Sequence, residues 1–351
     1  MIVLINKGGK MSDLIVWLTI NRNCNLRCKW CYQRDVAQTT KTMDYELALK
    51  LIDLSFGLQA KEIILIGGEP TLHPRFFDII KNIKLKGLRT NVVSNSIKFA
   101  DDKFINKAVE SGLASITTSI KGSSKEEYID STGCDAFDLL KKAMVNIRKS
   151  KIIHQTSVTV SNSVVENWGQ MIDFIKENNT DNYIFSFEKP TLLPSAITFD
   201  EKMFPKNISR FIQDVMYPSL VATGVNFKME LMFQQCVLGD GFVNKLENDR
   251  HAFGGCLLMK CDRRIVFDPE GFVLPCNHFV TYPIGKYGED FNNPPEFVSW
   301  KKSEEIKKFY QVTKSAPGEK CANCDKWSKC GAGCRLYWLY SGADKLLPSN
   351  I

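Results

Sequence analysis

The sequence predicts an α/β protein: a partial (β/α)6 TIM-like barrel with a small cysteine-rich domain at its C-terminal end. Three observations predict it. Apolar runs of strand length alternate with helically spaced segments over residues 14–190. Polar and glycine-rich signals fall where those runs end. Past residue 250 the chain turns rich in Cys, Gly and Pro, with short strands only. The predicted units are a barrel over 11–200, a helical linker over 201–250 and the cysteine-rich domain over 251–351.

In order, "LIVWLTI" reads as a buried first strand and "YELALKLIDLSF" (45–56) as a helix with 3.6-residue apolar spacing. "EIILIG" (62–67) is the second strand, and "RFFDIIKNIKLKG" is a helix with Gly87 as its stop signal. "RTNVVSNS", "ASITTSI", "TSVTVSN" and "YIFSFEKP" continue the strands, with "DDKFINKAVESG", "DAFDLLKKAMVNIRKS" and "ENWGQMIDFIKENN" as helices between them. Such alternation gives parallel strands joined by right-handed crossovers, with the active site at the strands' C-terminal ends. Residues 209–224 read as a further helix, and "RRIVFD" with "GFVLPC" as strands around a turn at Pro269–Gly271.

Of 351 residues, 44% are hydrophobic and 24% charged, an ordinary globular composition. No apolar run approaches the ~18 residues of a membrane span, and no signal-peptide pattern opens the chain. A cytoplasmic protein is expected. The net charge of +7 is spread without a long Lys/Arg run, so no nucleic-acid partner is expected. Twelve cysteines exceed what packing needs, and a reducing compartment argues against disulfides. Metal or cluster ligation is the economical reading of the grouped ones.

Cys24, Cys28 and Cys31 stand in a C-x3-C-x2-C pattern straight after the first strand. A four-iron cluster takes one ligand per iron, so three thiolates leave one iron open to an exogenous molecule. A zinc site with a distant fourth ligand is the competing reading, although the paired C-x2-C hooks usual for zinc are missing from this loop.

The loop "CNLRCKWCY" resembles the signature of the radical S-adenosylmethionine (radical SAM) superfamily, and "IGGEPTLHP", about 40 residues on at the next strand end, strengthens the likeness. The resemblance implies a [4Fe-4S] cluster with an open iron site and S-adenosyl-L-methionine (SAM) as cofactors. It implies contacts to SAM from Gly67, Gly68, Glu69 and Pro70, from Trp30 near the adenine, and from Ser94, Asn95 and Ser119 at later strand ends. Two departures stand out: Lys121 in "SIKG" replaces the Asp of the family's S-x-D-G, and "YIDSTGCD" lacks the Arg often found there for the SAM carboxylate.

The later cysteines resemble the superfamily's SPASM extension, which carries auxiliary iron–sulfur clusters. Cys261 and Cys276 flank Gly271, and Cys321, Cys324, Cys330 and Cys334 are spaced C-x2-C-x5-C-x3-C. By that likeness, one or two auxiliary [4Fe-4S] clusters are expected. Cys256, Cys261, Cys276 and Cys334 would hold the first. Cys321, Cys324 and Cys330 would hold the second, which lacks a fourth thiolate because no cysteine follows Cys334. Asp344 is one candidate to complete it. Cys236 could be recruited but reads more simply as a buried thiol, and Cys134 as an inert one.

The likeness implies a peptide substrate, modified by crosslink, thioether or cyclophane formation, and an electron donor such as flavodoxin or ferredoxin. A small-molecule dehydrogenase or epimerase is the alternative. Formylglycine formation is disfavoured because Asn277 stands where that branch carries an Asp base, and an amide cannot take the proton. His278 is a weak candidate for a catalytic base. A non-catalytic iron–sulfur carrier is the remaining alternative.

Overall fold

The computed structural model describes residues 14–33, 41–192, 197–254, 256 and 263–341. Its centre is a sheet of eleven strands: β1 (Ile15–Asn21), β2 (Glu62–Gly67), β3 (Arg89–Ser94), β4 (Ser115–Ile120), β5 (Ile153–Val160), β6 (Asn182–Phe187), β9 (Phe227–Leu231), β10 (Ala252–Gly254), β11 (Arg264–Phe267), β12 (Phe272–Leu274) and β13 (Gly285–Lys286). A two-stranded ribbon, β7 (Thr191–Leu192) with β8 (Ile197–Thr198), stands apart from it. The order across the large sheet is β10-β9-β6-β5-β4-β3-β2-β1-β11-β12-β13. Pairing is parallel from β10 through to β11, and antiparallel only for β11–β12 and β12–β13.

The six predicted strands and their parallel register are present, and the helices between them follow from local chemistry. Helix α1 (Tyr45–Gly57) starts at Asp44, whose carboxylate accepts the N–H groups of Glu46 and Leu47. Helix α2 (Phe76–Leu85) buries Phe76, Ile79, Ile80 and Ile83, an i, i+3, i+4, i+7 face. Helix α3 (Asp102–Ser111) is followed by helix α4 (Lys125–Thr132), capped by Ser124. Helices α5 (Phe137–Lys149), α6 (Asn162–Glu166) and α7 (Trp168–Glu177) complete the crossovers.

The sheet runs further than the six-strand expectation in both directions. Residues 201–250, read as a helical linker, also supply β9, which pairs parallel with β6. Its short apolar alternation, Phe227, Met229 and Leu231 buried, is too brief to outweigh the helices around it in a sequence reading. On the other side β11 pairs parallel with β1, Val16 beside Ile265 and Leu18 beside Phe267. The start of the cysteine-rich region therefore shares the barrel's sheet rather than forming a separate layer.

An ion pair locks that junction. Arg22, just past β1, places Nη2 2.8 Å from Oδ2 of Asp268, just past β11, with both side chains buried. Asp268 also accepts the N–H groups of Glu270 and Phe272 through its other oxygen. Burial pushes its carboxyl pKa up, and those donors with Arg22 oppose the shift.

Removing one partner of a buried pair leaves an uncompensated charge, at about 3–5 kcal/mol. Asp268→Asn is expected to lose stability of that order in anaerobic urea unfolding. An unchanged midpoint would mean the pair does not clamp β11 to β1.

Candidate functional site

The polar residues at the C-terminal ends of β1 to β6 converge on one rim, as parallel strands with crossover helices require. At β1 the register shifts between Thr19 and Asn21, so Asn21 lies opposite Gly67. The chain then crosses directly over the β2 end. Gly68 donates its N–H to Asn21 O at 3.0 Å, and Glu69 donates to Asn23 O at 2.7 Å. A Cβ on Gly68 would stand 2.4 Å from the carbonyl oxygens of both Arg22 and Asn23. The backbone approach that glycine permits here is made by the chain's own cysteine loop.

Glu69 is the most connected side chain on the rim. It is 1% exposed. Oε1 accepts from Thr71 N (3.1 Å), Thr71 Oγ1 (2.7 Å) and Ser94 Oγ (2.7 Å), and Oε2 accepts from Asn95 N (2.8 Å). Burial raises its pKa, against these donors. Pro70 opens the 3-10 turn Pro70–Leu72, for which Glu69 is the N-cap. Asn95 donates from Nδ2 to Asn25 Oδ1 at 2.7 Å, and Asn21 Nδ2 donates to Glu69 O at 3.0 Å. The sequence-predicted Gly67, Gly68, Glu69, Ser94 and Asn95 are thus knitted to the loop that carries Cys24, Cys28 and Cys31.

That loop is braced from its other side by the end of α4. Arg27 N donates to Thr132 O at 2.8 Å, and Lys29 N to Ser131 O at 3.1 Å. The "YIDSTGCD" segment, which departs from the family pattern, is a buttress. Leu26 donates its N–H to Cys24 Sγ at 3.4 Å. Burial, with Glu69, Cys28 and Cys31 close by, pushes the Cys24 thiol up to about 12, against the N–H of Leu26. Iron binding must displace that proton.

Trp30 is half-buried, with Lys121 Nζ 5.9 Å from its ring centroid. It lines a cavity of about 810 Å³ at the ends of β5 and β6. Ser161, Ser163, Glu127, Glu188 and Asp200 are also in its wall. Burial, then Asp200, raises Glu188 to about 7. Ser119 is half-buried on β4, opposite Ser157, and is not joined to the Glu69 network.

Cys256, Cys276 and Cys334 are all buried and interact with one another. Burial pushes the Cys276 thiol up to about 12. Lys189 and Arg335 supply positive charge to this group. Cys261 and Asp344 lie outside the described residues. The His278 ring is tilted against that of Tyr32, next to Cys31, with centroids 4.5 Å apart, and its imidazole is pushed down to about 3, by burial first and Lys189 second. An imidazole held that low is a weak proton acceptor at neutral pH. Cys134 is half-buried.

Two observations test whether these residues fit an iron–sulfur and SAM site. Of the thirteen buried polar side-chain atoms without a partner among the described residues, six belong to residues that follow a strand end or a cysteine: Gln33 Oε1, Ser161 Oγ, both amide atoms of Gln234, Asn277 Oδ1 and His278 Nδ1. Such atoms call for a polar ligand. Among the described residues, no three His, Cys, Asp or Glu side chains close on a point that would hold a single metal ion. Each iron of a four-iron cluster takes its own thiolate, and the three thiols of one loop, Cys24, Cys28 and Cys31, are a donor set that would suit such a cluster. Sequence reasoning missed Asn21, Arg22, Asn25, Lys189, Gln234 and Arg335; the polar "NRN" directly after an apolar strand was the one signal available.

The Radical SAM superfamily profile matches residues 18–177. The chain is 30% identical over 145 residues to a GTP 3',8-cyclase of Chlorobaculum tepidum, covering 41% of this chain and 43% of that protein. It is 34% identical over 89 residues to a tungsten-containing aldehyde ferredoxin oxidoreductase cofactor-modifying protein of Pyrococcus furiosus, 25% of each chain. The matched stretches thus span less than half the length of these relatives. Among solved structures, Streptococcus suis SuiB bound to S-adenosylmethionine superposes with a TM-score of 0.71 at 13% identity, over 96% of this chain and 76% of that one. Native anSMEcpe with bound AdoMet and Cp18Cys peptide gives 0.70 at 17%, over 95% and 92%. At these identities the likeness is one of fold.

Gly68→Ala is expected to cost about 1–3 kcal/mol, because only backbone can move away from the added methyl. It should also lower the iron held by the cysteine loop. Gly169→Ala, in helix α7 where an added Cβ meets nothing within 4 Å, should leave the iron unchanged and stability equal or up to about 1 kcal/mol higher. Urea unfolding and iron content check the pair, and equal behaviour of the two variants would refute the crossing as a constraint.

Proposed function

We propose, from the Radical SAM superfamily profile that residues 18–177 match, that the chain is a peptide-modifying radical enzyme that forms a crosslink, thioether or cyclophane. The observation that carries the reading is the three-cysteine loop pinned at the β1 end to Glu69 and Asn95. A [4Fe-4S] cluster and SAM are the cofactors of such a domain; bound together they supply a 5′-deoxyadenosyl radical that removes a hydrogen atom from substrate.

The protein's part is position and exclusion. Cys24, Cys28 and Cys31 would hold the cluster. Gly67, Gly68, Glu69 and Pro70 form the ledge beside them, with Ser94, Asn95, Ser119 and Trp30 around SAM. Glu69 holds that ledge through its bonds to Thr71, Ser94 and Asn95. The carboxylates of Glu126, Glu127, Asp130, Glu166, Glu188 and Asp200 around the cavity suit cationic groups. Burial of the rim keeps water from a reactive substrate.

The cysteine-rich end supports the peptide reading. We assign 11–200 to the radical SAM core, 201–250 to its connection and 251–351 to a SPASM-type region. Cys256, Cys261, Cys276 and Cys334 would hold one auxiliary cluster. Such a cluster supplies an electron relay, which suits an oxidative product and an external donor such as flavodoxin or ferredoxin. The cyclase relatives favour a second reading, a small-molecule substrate. A cytoplasmic setting suits cysteines that would hold clusters rather than disulfides; among the described residues no helix is long and apolar enough to cross a membrane.

Anaerobic protein with dithionite and SAM is expected to yield 5′-deoxyadenosine and methionine, and Cys28→Ala to abolish both. A short peptide encoded beside the gene should lose a hydrogen pair by mass spectrometry. Equal SAM cleavage by Cys28→Ala would overturn the radical reading. SAM cleavage with every adjacent peptide unaltered would favour the small molecule.

A further inference from the structure

Cys321, Cys324 and Cys330 are one thiolate short of giving each iron of a four-iron cluster its own ligand. The tertiary structure brings a further thiol to them from far upstream. The segment after β9 runs directly against the turn that carries Cys330 and Cys334. Cys334 donates its N–H to Met232 O at 2.6 Å, and Gln235 donates its N–H to Cys330 Sγ at 3.4 Å. Between these two bonds, Gly333 (φ +72°) presses against Phe233, where an added Cβ would stand 2.5 Å from Cα. Two ion pairs fix the same face: Asp240 with Lys326, and Glu247 with Lys329. Cys236 follows Gln235 in the 3-10 turn Gln235–Leu238, so this clamp holds it at the cysteine trio.

We infer that Cys236 is the fourth thiolate of a second auxiliary four-iron cluster, completing the set Cys236, Cys321, Cys324 and Cys330. The inference rests on the reading of the C-terminal cysteines as cluster ligands. The electrostatics agree with the geometry. Burial pushes the Cys236 thiol up to about 11, and Cys330, Cys321 and Cys324 act on it as neighbours. Arg335 interacts with Cys321 and Cys330 on one side and with Cys256 and Cys334 on the other. Its buried guanidinium offsets the negative charge of both thiolate groups. The N–H of Gln235 on Cys330 Sγ is the kind of bond that tunes a cluster's potential.

The ligand set has a functional consequence. Four thiolates leave no open iron, so this cluster would take electrons and not substrate. Cys324 is exposed, and Cys236, Cys321 and Cys330 are half-buried, whereas Cys256, Cys276 and Cys334 are buried. The Cys236 site is therefore the surface end of the relay, where an external donor can reach it.

The test uses full-length chain in which Cys24, Cys28 and Cys31 are alanine, so that only auxiliary iron is counted. Purified anaerobically, it should hold about eight irons with matching sulfide; adding Cys236→Ala should alter or remove one of two signals in the electron paramagnetic resonance spectrum of reduced protein, with loss of up to about four irons, since three thiolates can still hold a four-iron cluster with one iron open. The irons that stay show that the chain still folds. Cys236→Ser should retain the iron with an altered signal, and Cys134→Ala should change neither readout. Unchanged iron and an unchanged spectrum in Cys236→Ala would overturn the assignment. Iron at background in the parent variant, or zinc in its place, would instead refute the auxiliary-cluster reading, and the assignment with it.

Discussion

A buried carboxylate needs donors around it, because a charge taken out of water without hydrogen bonds is too costly to keep. Glu69 meets that demand with Thr71, Ser94 and Asn95, so the ends of β2 and β3 and the turn between β2 and α2 can adopt only one mutual arrangement. Asn95 and Asn21 extend the constraint to the cysteine loop. Gly68 sets the other half of it, since the loop's carbonyls occupy the space a side chain would fill. The positions of Cys24, Cys28 and Cys31 follow from satisfying one charge and one steric contact.

The same loop has a neighbour on its far side because β11 adds to the sheet next to β1. Arg22 and Asp268 fasten the two strand ends together. The residues after β12 then reach Tyr32 through His278, and the last described helix, Arg335–Ser341, reaches the β6 end where Tyr337 donates to Glu188 O at 2.6 Å. The cysteine-rich region closes over the rim and places Cys256, Cys276 and Cys334 beside it. A relay of thiolate-held irons would run from an exposed edge to a buried centre, with Arg335 between the two groups and Lys189 at the inner one.

Much of this was legible from residue order. Six strands, their parallel pairing and the rim that would carry the chemistry follow from apolar runs that alternate with helical spacing. The cysteine spacing and the Gly-Gly-Glu segment marked the loop and its partner strand. The roles of individual residues were less legible. Glu69 was expected to contact SAM, and the structure shows its carboxylate bonded to Thr71, Ser94 and Asn95; the "STG" segment, noted for the Arg it lacks, braces the cysteine loop.

The sequence by itself determined the alternating fold and the grouping of thiols on short loops, because periodicity and spacing are local properties. Only the tertiary structure decided that β9 and β11 extend the sheet, that Arg22 meets Asp268, and that Cys236 meets Cys330. Those pairings join residues far apart in the chain, 44 positions for Tyr183 and Phe227, 95 for Gln235 and Cys330 and 246 for Arg22 and Asp268. Contacts at such separations depend on how strands pair and crossovers stack, and no window of sequence contains both partners.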